Sequence, residues 1–462
     1  MATLTSVYAD STIVLGPLAT EAQPEAYDLC DKHVSSFTAP RGWQIIRLAT
    51  EFEPAPPSED DLLALADAVR EAATVGIKAA FEGVDMPGVQ KYKNSIVSRM
   101  HKGLEGLVSS RGIDLIQGWG RLVAADAVEV DGRRITGRNV VLASGSYSKT
   151  IGQEISGGVI TSEEALEMDH VPASAVILGG GVIGVEFASA WASMGSQVTI
   201  IEGLPHLVPN EDEAISKQLE RAFRKRKITF RTNTMFESVE RHDGGVTVRT
   251  QDGKTHEAEV LLIAVGRGPA TANLGYEEVG VAMDRGFVLA DEYGRTNVPG
   301  VWAVGDIVPG VQLAHRGFAQ GIVVAEKIAG LDPTPVDDVL VPKVTFCEPE
   351  IASVGLSEAK AAEIHGKENI TSAEFNVAGN AKSQILGTQG FVKLVSLKDG
   401  PILGFHAIGA RMGEQVGEGQ LMVSWEADAD DVAALVHAHP TQNETLGEAA
   451  MALAGKPLHN HG

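Results

Sequence analysis

The chain has 462 residues, which is too long for one ordinary core and predicts roughly three domains. Apolar residues make up 44% and charged residues 21%, a balance that excludes a largely disordered or fibrous protein. The 38 basic and 61 acidic residues give a formal net charge of −23, which disfavours nucleic acids and anionic membranes as partners.

Cysteine usage and the first residues indicate where the protein works. Only two cysteines occur, Cys30 and Cys347, so no disulfide framework is expected. The first basic residue is Lys32, which argues against a secretory signal or transit peptide. We therefore predict a soluble, cytoplasmic, multidomain α/β protein.

The first 60 residues differ from the rest of the chain. Six prolines interrupt them, and the pattern contains no clear strand–turn–helix unit, only a candidate short strand at 12–15. Apolar spacing then predicts helices at 62–73 and 89–110, the second with Ile96, Met100, Leu104 and Leu107 on one face. Strands are predicted next at 113–116 and 139–142.

A strand–glycine–helix–strand unit follows at 175–202. An apolar strand at 175–178 enters the run Gly179-Gly180-Gly181-Val182-Ile183-Gly184, which fits the pattern G-x-G-x-x-G and opens a helix ending at residue 194. The glycines of this pattern allow a tight turn, a close approach to a pyrophosphate and close helix–strand packing. The next strand, 197–201, ends at Glu202, whose carboxylate suits a ribose 2′-hydroxyl and repels a 2′-phosphate. We predict NAD binding in preference to NADP, and the alternative is a glycine-rich turn without a ligand.

Further elements continue towards the C-terminus. Helices are predicted at 210–225 and 315–329, and strands at 247–249, 260–263 and 301–304. The basic run 221–227 is interpreted as a solvated helix end rather than a nucleic-acid site. Domain boundaries are predicted near residues 150, 270 and 340.

Several motifs, taken together, resemble one family. They are Gln117-Gly118-Trp119-Gly120, Leu142-Ala143-Ser144-Gly145-Ser146, the glycine run with Glu186, and the segments 264–269, 296–306, 312–315, 344–350 and 437–444. Their order and spacing over about 400 residues resemble the dihydrolipoamide dehydrogenase type of the pyridine nucleotide–disulfide oxidoreductases. That resemblance implies an NAD-dependent flavoprotein enzyme that oxidises dihydrolipoamide to lipoamide.

The resemblance also implies a fold and partners. The fold is α/β, with two Rossmann-like nucleotide-binding domains, the FAD one with an aberrant N-terminus, and a C-terminal α+β dimerisation domain. The implied boundaries are 1–60 for a non-matching segment, 61–150 with 271–340 for the FAD-type domain, 151–270 for the NAD-binding domain, and 341–462 for dimerisation. The implied partners are a second copy of the chain and the lipoyl-bearing components of 2-oxoacid dehydrogenase complexes.

The resemblance assigns roles to individual residues. The implied NAD contacts are Gly179, Gly180, Gly181, Val182, Ile183, Gly184, Glu186, Glu202 and Gly266. The implied FAD contacts are Gly120, Ala143, Ser144, Gly145, Ser146, Asp306, Gln312, Leu313, Ala314 and His315, although the family usually has Thr where Ser144 stands. His439 resembles the general base that reaches the partner's active site, and Glu444 the residue that orients it.

The histidines also have an interpretation from chemistry alone. A neutral imidazole can take a thiol proton near pH 7, and a carboxylate beside it fixes its tautomer. His437 is predicted to be structural, Cys347 to be a buried inert thiol, and His459 and His461 to be solvated. No metal site is predicted.

The N-terminal part departs from the family. A strand with G-x-G-x-x-G, a C-x4-C pair and the lysine after it are expected there, yet positions 48 and 53 hold Leu and Glu. The first electron acceptor for a dithiol is therefore missing, and FAD loses one phosphate anchor. Either the N-terminus has been replaced on a dehydrogenase chain, or the protein has a role without a dithiol. Two alternatives follow: an NAD(P)H-dependent quinone or dye reductase, and a non-catalytic NAD-binding dimeric subunit.

Overall fold

The structure, a computed structural model, describes residue 78, residues 83–459 and the backbone of four strands before residue 48. Those strands are β1 (Ala2–Val7), β2 (Thr12–Gly16), β3 (Ala26–Leu29) and β4 (Gln44–Arg47). They form one sheet in the order β3-β1-β2-β4, in which β1 is antiparallel to β2 and β3, and β2 is parallel to β4. The strand predicted at 12–15 is confirmed. The helix predicted at 62–73 and positions 48 and 53 lie outside the described residues.

The chain divides into two compact units, 1–65 and 66–462. The second unit begins, among its described elements, with α1 (Met86–Ser110), which confirms the predicted helix and buries none of its side chains. Polar contacts hold its N-terminal half, because Lys93 Nζ lies 2.8 Å from the carbonyl oxygen of Leu166. The next strands are β5 (Gly120–Ala124), β6 (Ala127–Val130), β7 (Arg133–Thr136), β8 (Val140–Leu142) and β9 (Ser146–Ser148).

The middle of the chain contains a five-stranded parallel sheet with helices packed against it. Its order is β10-β17-β11-β12-β13, and a three-stranded antiparallel sheet, β14-β15-β16, lies beside it. The strands are β10 (Val159–Ile160), β11 (Ser174–Leu178), β12 (Gln197–Ile201), β13 (Thr229–Arg231), β14 (Phe236–His242), β15 (Gly245–Thr250), β16 (Thr255–Ala258) and β17 (Val260–Ile263). The helices are α2 (Ser162–Leu166), α3 (Val182–Met194) and α4 (Glu213–Lys225). The near-continuous apolar sequence of β11 and β17 is typical of strands covered on both faces.

The chain then returns to the first part of the unit. β21 (Val301–Ala303) pairs in parallel with β8, and β18 (Arg267–Pro269) pairs antiparallel with β9. Further elements here are β19 (Met283–Asp284), β20 (Phe287–Val288) and α5 (Ala314–Ile328). The predicted strand at 301–304 and helix at 315–329 are confirmed within a residue or two.

The C-terminal part is an antiparallel sheet covered by helices. The sheet order is β22-β23-β26-β25-β24, and its core includes Phe405, Leu394 and Leu446. The strands are β22 (Lys343–Thr345), β23 (Glu350–Gly355), β24 (Ile370–Asn376), β25 (Phe391–Leu397) and β26 (Ile402–Gly409). The helices are α6 (Glu358–His365), α7 (Ala381–Ile385), α8 (Val416–Ser424), α9 (Ala429–Ala433) and α10 (Glu444–Leu453). No described helix is both long and apolar enough to cross a lipid bilayer.

One sequence interpretation is wrong and a second is only partly right. Residues 113–116 are exposed irregular backbone and not a strand, because none of the described strands pairs with them. An apolar run forms a strand only where a neighbour satisfies its N–H and C=O groups. The basic end of α4 is not wholly solvated, because Arg226 donates to the hydroxyls of Ser189 and Ser193, each at 2.6 Å, and to the Glu348 carbonyl at 2.8 Å.

Buried charges join the middle part of the chain to the C-terminal sheet. Asp212, which caps the N-terminus of α4, is 3% exposed, and Lys393 of β25 is 5% exposed. Lys393 Nζ lies 2.9 Å from Asp212 Oδ1 and 2.7 Å from Glu358 Oε2. Burial alone would raise the pKa of Asp212, but hydrogen bonds from Lys393 and the Glu358 N–H outweigh it and lower that pKa. The ion pair therefore stabilises the folded state above the ordinary carboxyl range and loses its effect as pH falls through the lowered pKa.

We predict that Lys393→Met lowers the free energy of unfolding by about 3–5 kcal/mol at pH 7, because it leaves Asp212 buried without its cation. The deficit should shrink as pH falls into the carboxyl range, because a protonated Asp212 needs no partner. Urea unfolding followed by tryptophan fluorescence measures both effects. Lys360→Met, which removes an exposed pair with Glu363 on α6, is the matched control and should change stability by less than about 1 kcal/mol. Equal losses in the two variants would contradict this account of Lys393.

Candidate functional site

The glycine run lies at the carboxyl end of β11, between that strand and α3. Gly179 has φ of 108°, a left-handed conformation that glycine adopts without strain. A side chain at Gly184 would collide with the carbonyl of Gly179, so only glycine allows this approach of helix to turn. Gly181 caps α3, whose first N–H groups therefore point out of the turn. The loop thus has the shape and the donors that a pyrophosphate needs.

Glu202 connects this loop to the neighbouring strand. It follows β12 directly, is 8% exposed, and accepts hydrogen bonds from the N–H groups of Gly180 at 2.6 Å and Leu204 at 2.7 Å. Each carboxylate oxygen keeps further acceptor capacity, since an ionised carboxylate has about four lone-pair sites. Glu202 therefore supports the glycine loop and can still accept a ribose hydroxyl.

Two other predicted NAD contacts lie near the same sheet edge. Gly266, with φ of 101°, follows β17, whose carboxyl end lies beside that of β11. Glu186, on α3, accepts the Phe346 N–H at 2.8 Å and so joins the helix to the C-terminal part. The contact of Glu186 with Phe346 was not apparent from sequence, because the two residues are far apart in the chain.

A second cluster lies at the carboxyl ends of β8 and β21. Asp306 follows β21, and the Ser146 hydroxyl donates to its Oδ2 at 2.5 Å. Gln312 Nε2 lies 3.3 Å from the Asp306 carbonyl, and the Tyr276 hydroxyl lies 3.1 Å from Ser144 Oγ. The structure thus brings Ser146, in the turn after β8, together with Asp306 after β21.

The other predicted FAD contacts lie at the start of α5 and on β5. Leu313 caps α5, Ala314 begins that helix, and His315 Nε2 lies 2.8 Å from the Pro342 carbonyl. His315 also lines a cavity of about 550 Å³ between α5, residues 335–344 and α8. Gly120 begins β5, in a different sheet from β8 and β21, so its place beside a flavin stays a prediction.

Arg267 is a site residue that the sequence pattern did not reveal. Its Nε lies 2.7 Å from Ser146 Oγ and its Nη2 2.9 Å from the Ser146 carbonyl. A signal was present, because Arg267 directly follows Gly266 inside the motif 264–269. Its role depends on pairing between β18 and β9, which a one-dimensional pattern does not show.

The two nucleotides fit these clusters to different extents. The glycine loop, the start of α3 and Glu202 supply the donors and the acceptor that NAD requires. Asp306 offers an acceptor for a ribityl hydroxyl, so the flavin half of FAD fits. The sequence holds no second G-x-G-x-x-G, the pattern that would anchor the pyrophosphate of a second dinucleotide.

A histidine–carboxylate pair lies in the loop before α10. His439 Nδ1 lies 2.8 Å from Glu444 Oε1, and Glu444 Oε2 accepts the Thr441 N–H at 2.8 Å. Burial opposes the charge of Glu444, but these two hydrogen bonds outweigh it and lower its pKa. The His439 side chain is 72% exposed, so its free Nε2 faces outward from this chain. The pair can hold one tautomer and exchange a proton at Nε2.

A second histidine–carboxylate pair, His437 with Glu418, supports the same loop. His437 Nε2 lies 2.8 Å from Glu418 Oε1, and Asn443 Nδ2 lies 2.8 Å from Glu418 Oε2. The hydrogen bond to Glu418 raises the pKa of His437 despite partial burial. His437 has the inward, paired position expected of a structural residue.

The thiol and metal chemistry of the described residues is limited. Cys347 is buried, its Sγ lies 3.2 Å from the Pro349 carbonyl, and burial raises its pKa well above the usual range. A thiol in this setting is a poor nucleophile. Within the described part of the chain, no three His, Cys, Asp or Glu side chains cluster closely enough to hold a metal ion.

Comparison with known proteins identifies the family. A profile of the pyridine nucleotide-disulphide oxidoreductases matches residues 53–321, and a profile of their dimerisation domain matches residues 341–450. A dihydrolipoyl dehydrogenase of Bacillus subtilis is 37% identical over 397 residues, which cover 83% of this chain and 84% of that protein. Dihydrolipoyl dehydrogenase 1 from mitochondria of Arabidopsis thaliana is 35% identical over 407 residues, 85% of this chain and 80% of that protein.

A solved structure shows the same fold. The crystal structure of LpdA from Mycobacterium tuberculosis superposes with a TM-score of 0.79 at 24% identity, covering 85% of this chain and 88% of that one. This likeness confirms the predicted fold class, and the family profiles and the relatives confirm the predicted family and its cofactors, FAD and NAD. This chain belongs to the pyridine nucleotide-disulphide oxidoreductase family, among whose enzymes its relatives are NAD-dependent dihydrolipoyl dehydrogenases.

Proposed function

We propose that the chain is a dihydrolipoyl dehydrogenase-type flavoprotein that retains its NAD site and lacks the step that accepts electrons from a dithiol. The observation that carries the NAD part of this proposal is the glycine loop supported by Glu202. The Glu202 carboxylate accepts the N–H of Gly180, just before α3, and the N–H of Leu204, just after β12. The proposed domain roles are those predicted from sequence, with 151–270 binding NAD and 341–462 forming the dimer contact.

The residues of the candidate site have separate roles. The N–H groups at the start of α3 bind the pyrophosphate, and Glu202 accepts a ribose 2′-hydroxyl and repels a phosphate at that position. Asp306 orients a flavin through its ribityl chain, and FAD, when bound, supplies the transfer of an electron pair to NAD. His439 retains a ring nitrogen, Nε2, that can accept a proton from a thiol, and Glu444 keeps the opposite ring nitrogen protonated.

The dithiol step lacks its acceptor in this chain. Oxidation of a dithiol by exchange requires a second pair of sulfurs, whose S–S bond takes up the two electrons. The sequence contains Cys30 and Cys347 only, and Cys347 is buried in the C-terminal part beside Pro349. Its raised pKa disfavours the thiolate that exchange requires.

The C-terminal part offers a surface for a second copy of the chain. Apolar side chains on and after α8 are exposed, among them Trp425 at 76% and Val436 at 98%. His439, 72% exposed, lies close to them in sequence, as expected of a base that serves the partner's site. We also propose a cytoplasmic location and contact with lipoyl-bearing 2-oxoacid dehydrogenase components, on the strength of the relatives alone.

A second function has one observation in its favour. A quinone or dye reductase needs flavin and NAD(P)H but no disulfide, so the missing cysteine pair favours it. The retained His439–Glu444 pair opposes it, because such a reaction needs no thiol base. A non-catalytic NAD-binding subunit is the third possibility. Flavin absorbance of the purified protein separates it from the other two.

We predict that Glu202→Gln reduces the preference for NAD over NADP by about tenfold. The variant removes the negative charge that repels a 2′-phosphate, which corresponds to about 1.5 kcal/mol for one charge-assisted contact. Calorimetric titration with NAD and with NADP measures the two affinities and hence the preference. Glu240→Gln, at an exposed pair with Arg249, is the control and should leave the preference unchanged. Equal affinity of the unmodified protein for NAD and NADP would rule out this role of Glu202.

We predict less than about 1 s⁻¹ of NADH formation from dihydrolipoamide and NAD, with FAD in excess, which is the low end of ordinary enzyme turnover. The reason is the missing sulfur pair. Absorbance at the NADH band measures the rate. NADH oxidation by a small quinone is the control, because it shows that electrons pass between NADH and the bound flavin. Faster dihydrolipoamide turnover would contradict the loss of the dithiol step.

We predict that the protein is a dimer in solution, with twice the 48.7 kDa mass of one chain at micromolar concentration. Val436→Asp should weaken the dimer, because it places a charge in an apolar contact. Ile364→Asp, at an exposed position of α6, is the control and should not. Light scattering after gel filtration distinguishes the outcomes, and a monomeric unmodified protein would refute the proposed contact.

A further inference from the structure

Two segments connect the NAD-binding part of the chain to the part that carries Asp306. β9 leads into the NAD-binding part before β10, and β18 leads out of it after β17. The two segments pair with each other, with Arg267 opposite Ser148 and Pro269 opposite Ser146. A side chain at Gly268 would strike the ring of Tyr147, so the ribbon is closely packed. The connection is therefore a short antiparallel ribbon.

Arg267 binds two polar groups of Ser146, the hydroxyl and the backbone carbonyl. Its Nε donates to Ser146 Oγ at 2.7 Å and its Nη2 to the Ser146 carbonyl at 2.9 Å. Its Nη1 lies 3.2 Å from Ser148 Oγ and 3.4 Å from Glu163 Oε1, which fixes the guanidinium from the other side. A guanidinium has donors only, so Ser146 Oγ must accept from it.

The direction of the hydrogen bond from Arg267 determines where the Ser146 hydroxyl donates its own proton. With Oγ accepting from Arg267, the single hydroxyl proton is directed to Asp306 Oδ2, 2.5 Å away. The hydrogen bond restricts the orientation of the Asp306 carboxylate and leaves Oδ1 as an acceptor. Without Arg267, the hydroxyl can rotate and donate elsewhere, and the carboxylate loses its fixed orientation.

We propose that Arg267 is a positioning residue for the flavin site, acting through the Ser146 hydroxyl on the Asp306 carboxylate. Arg267 belongs to the segment that leaves the NAD-binding part and does not itself contact Asp306. This inference rests on the proposed flavoprotein function, and it ties the geometry of the flavin site to the ribbon that joins the two nucleotide sites.

The test measures FAD affinity of the full chain without relying on activity. The protein is stripped of flavin and titrated with FAD, followed by flavin fluorescence, and NAD affinity is measured in parallel by calorimetry. Arg267→Met and Ser146→Ala should each weaken FAD binding by about tenfold, the loss expected when one well-placed hydrogen bond to a charge is removed. The double variant should be no weaker than either single one, because both remove the same interaction.

Conservative and control variants separate positioning from a general loss of structure. Ser146→Thr keeps a hydroxyl and should retain FAD affinity, and Arg249→Met, which breaks an exposed Arg–Glu pair elsewhere, should leave it unchanged. If Arg267→Met does not fold, Ser146→Ala with its Thr counterpart carries the test. Unchanged FAD affinity in Ser146→Ala, or losses that multiply in the double variant, would overturn the proposal.

The proposed function fails by a different result. Absence of NAD binding in the unmodified chain would refute the NAD site and leave the FAD comparison of variants intact. Absence of FAD binding in the unmodified chain would refute the proposed flavoprotein and the positioning role of Arg267 with it. Normal FAD binding in the unmodified chain with unchanged affinity in Ser146→Ala would overturn the positioning role alone.

Discussion

The hydrogen bonds from Gly180 and Leu204 to the Glu202 carboxylate are the interaction on which the candidate site depends. They fasten the turn after β11 to the end of β12, and so fix the N-terminus of α3 relative to the sheet edge. Parallel pairing brings the carboxyl ends of these strands and of β17 to that same edge. A buried carboxylate is stable there because each of its oxygens has a backbone donor.

The C-terminal part is attached to this framework by charges as well as by apolar packing. Arg226 reaches from the end of α4 to the Glu348 carbonyl, and Lys393 pairs with Asp212 at the other end of that helix. Cys347 and Phe391 share one apolar cluster with Trp191 of α3. The orientation of the part that carries His439 therefore follows from contacts made by α3 and α4.

The sequence predicted those elements whose own pattern suffices to form them. The glycine loop, α3 and Glu202 were predictable because a tight turn, a helix N-terminus and a ribose acceptor each require particular residue types at fixed spacing. Residues 113–116 were wrongly predicted because a strand depends on a partner that the pattern does not contain. Arg226 and Arg267 were missed as structural contacts because their acceptors, Ser193 and Ser146, are distant in sequence.

The central claim is that this chain keeps the nucleotide chemistry of its family without the sulfur pair. An anaerobic reductive titration of the FAD-loaded protein counts the electrons that it takes up. A flavin accepts two electrons and a disulfide accepts two more, since each is a two-electron couple. The account predicts about two electrons per bound FAD, and an uptake of about four would contradict it.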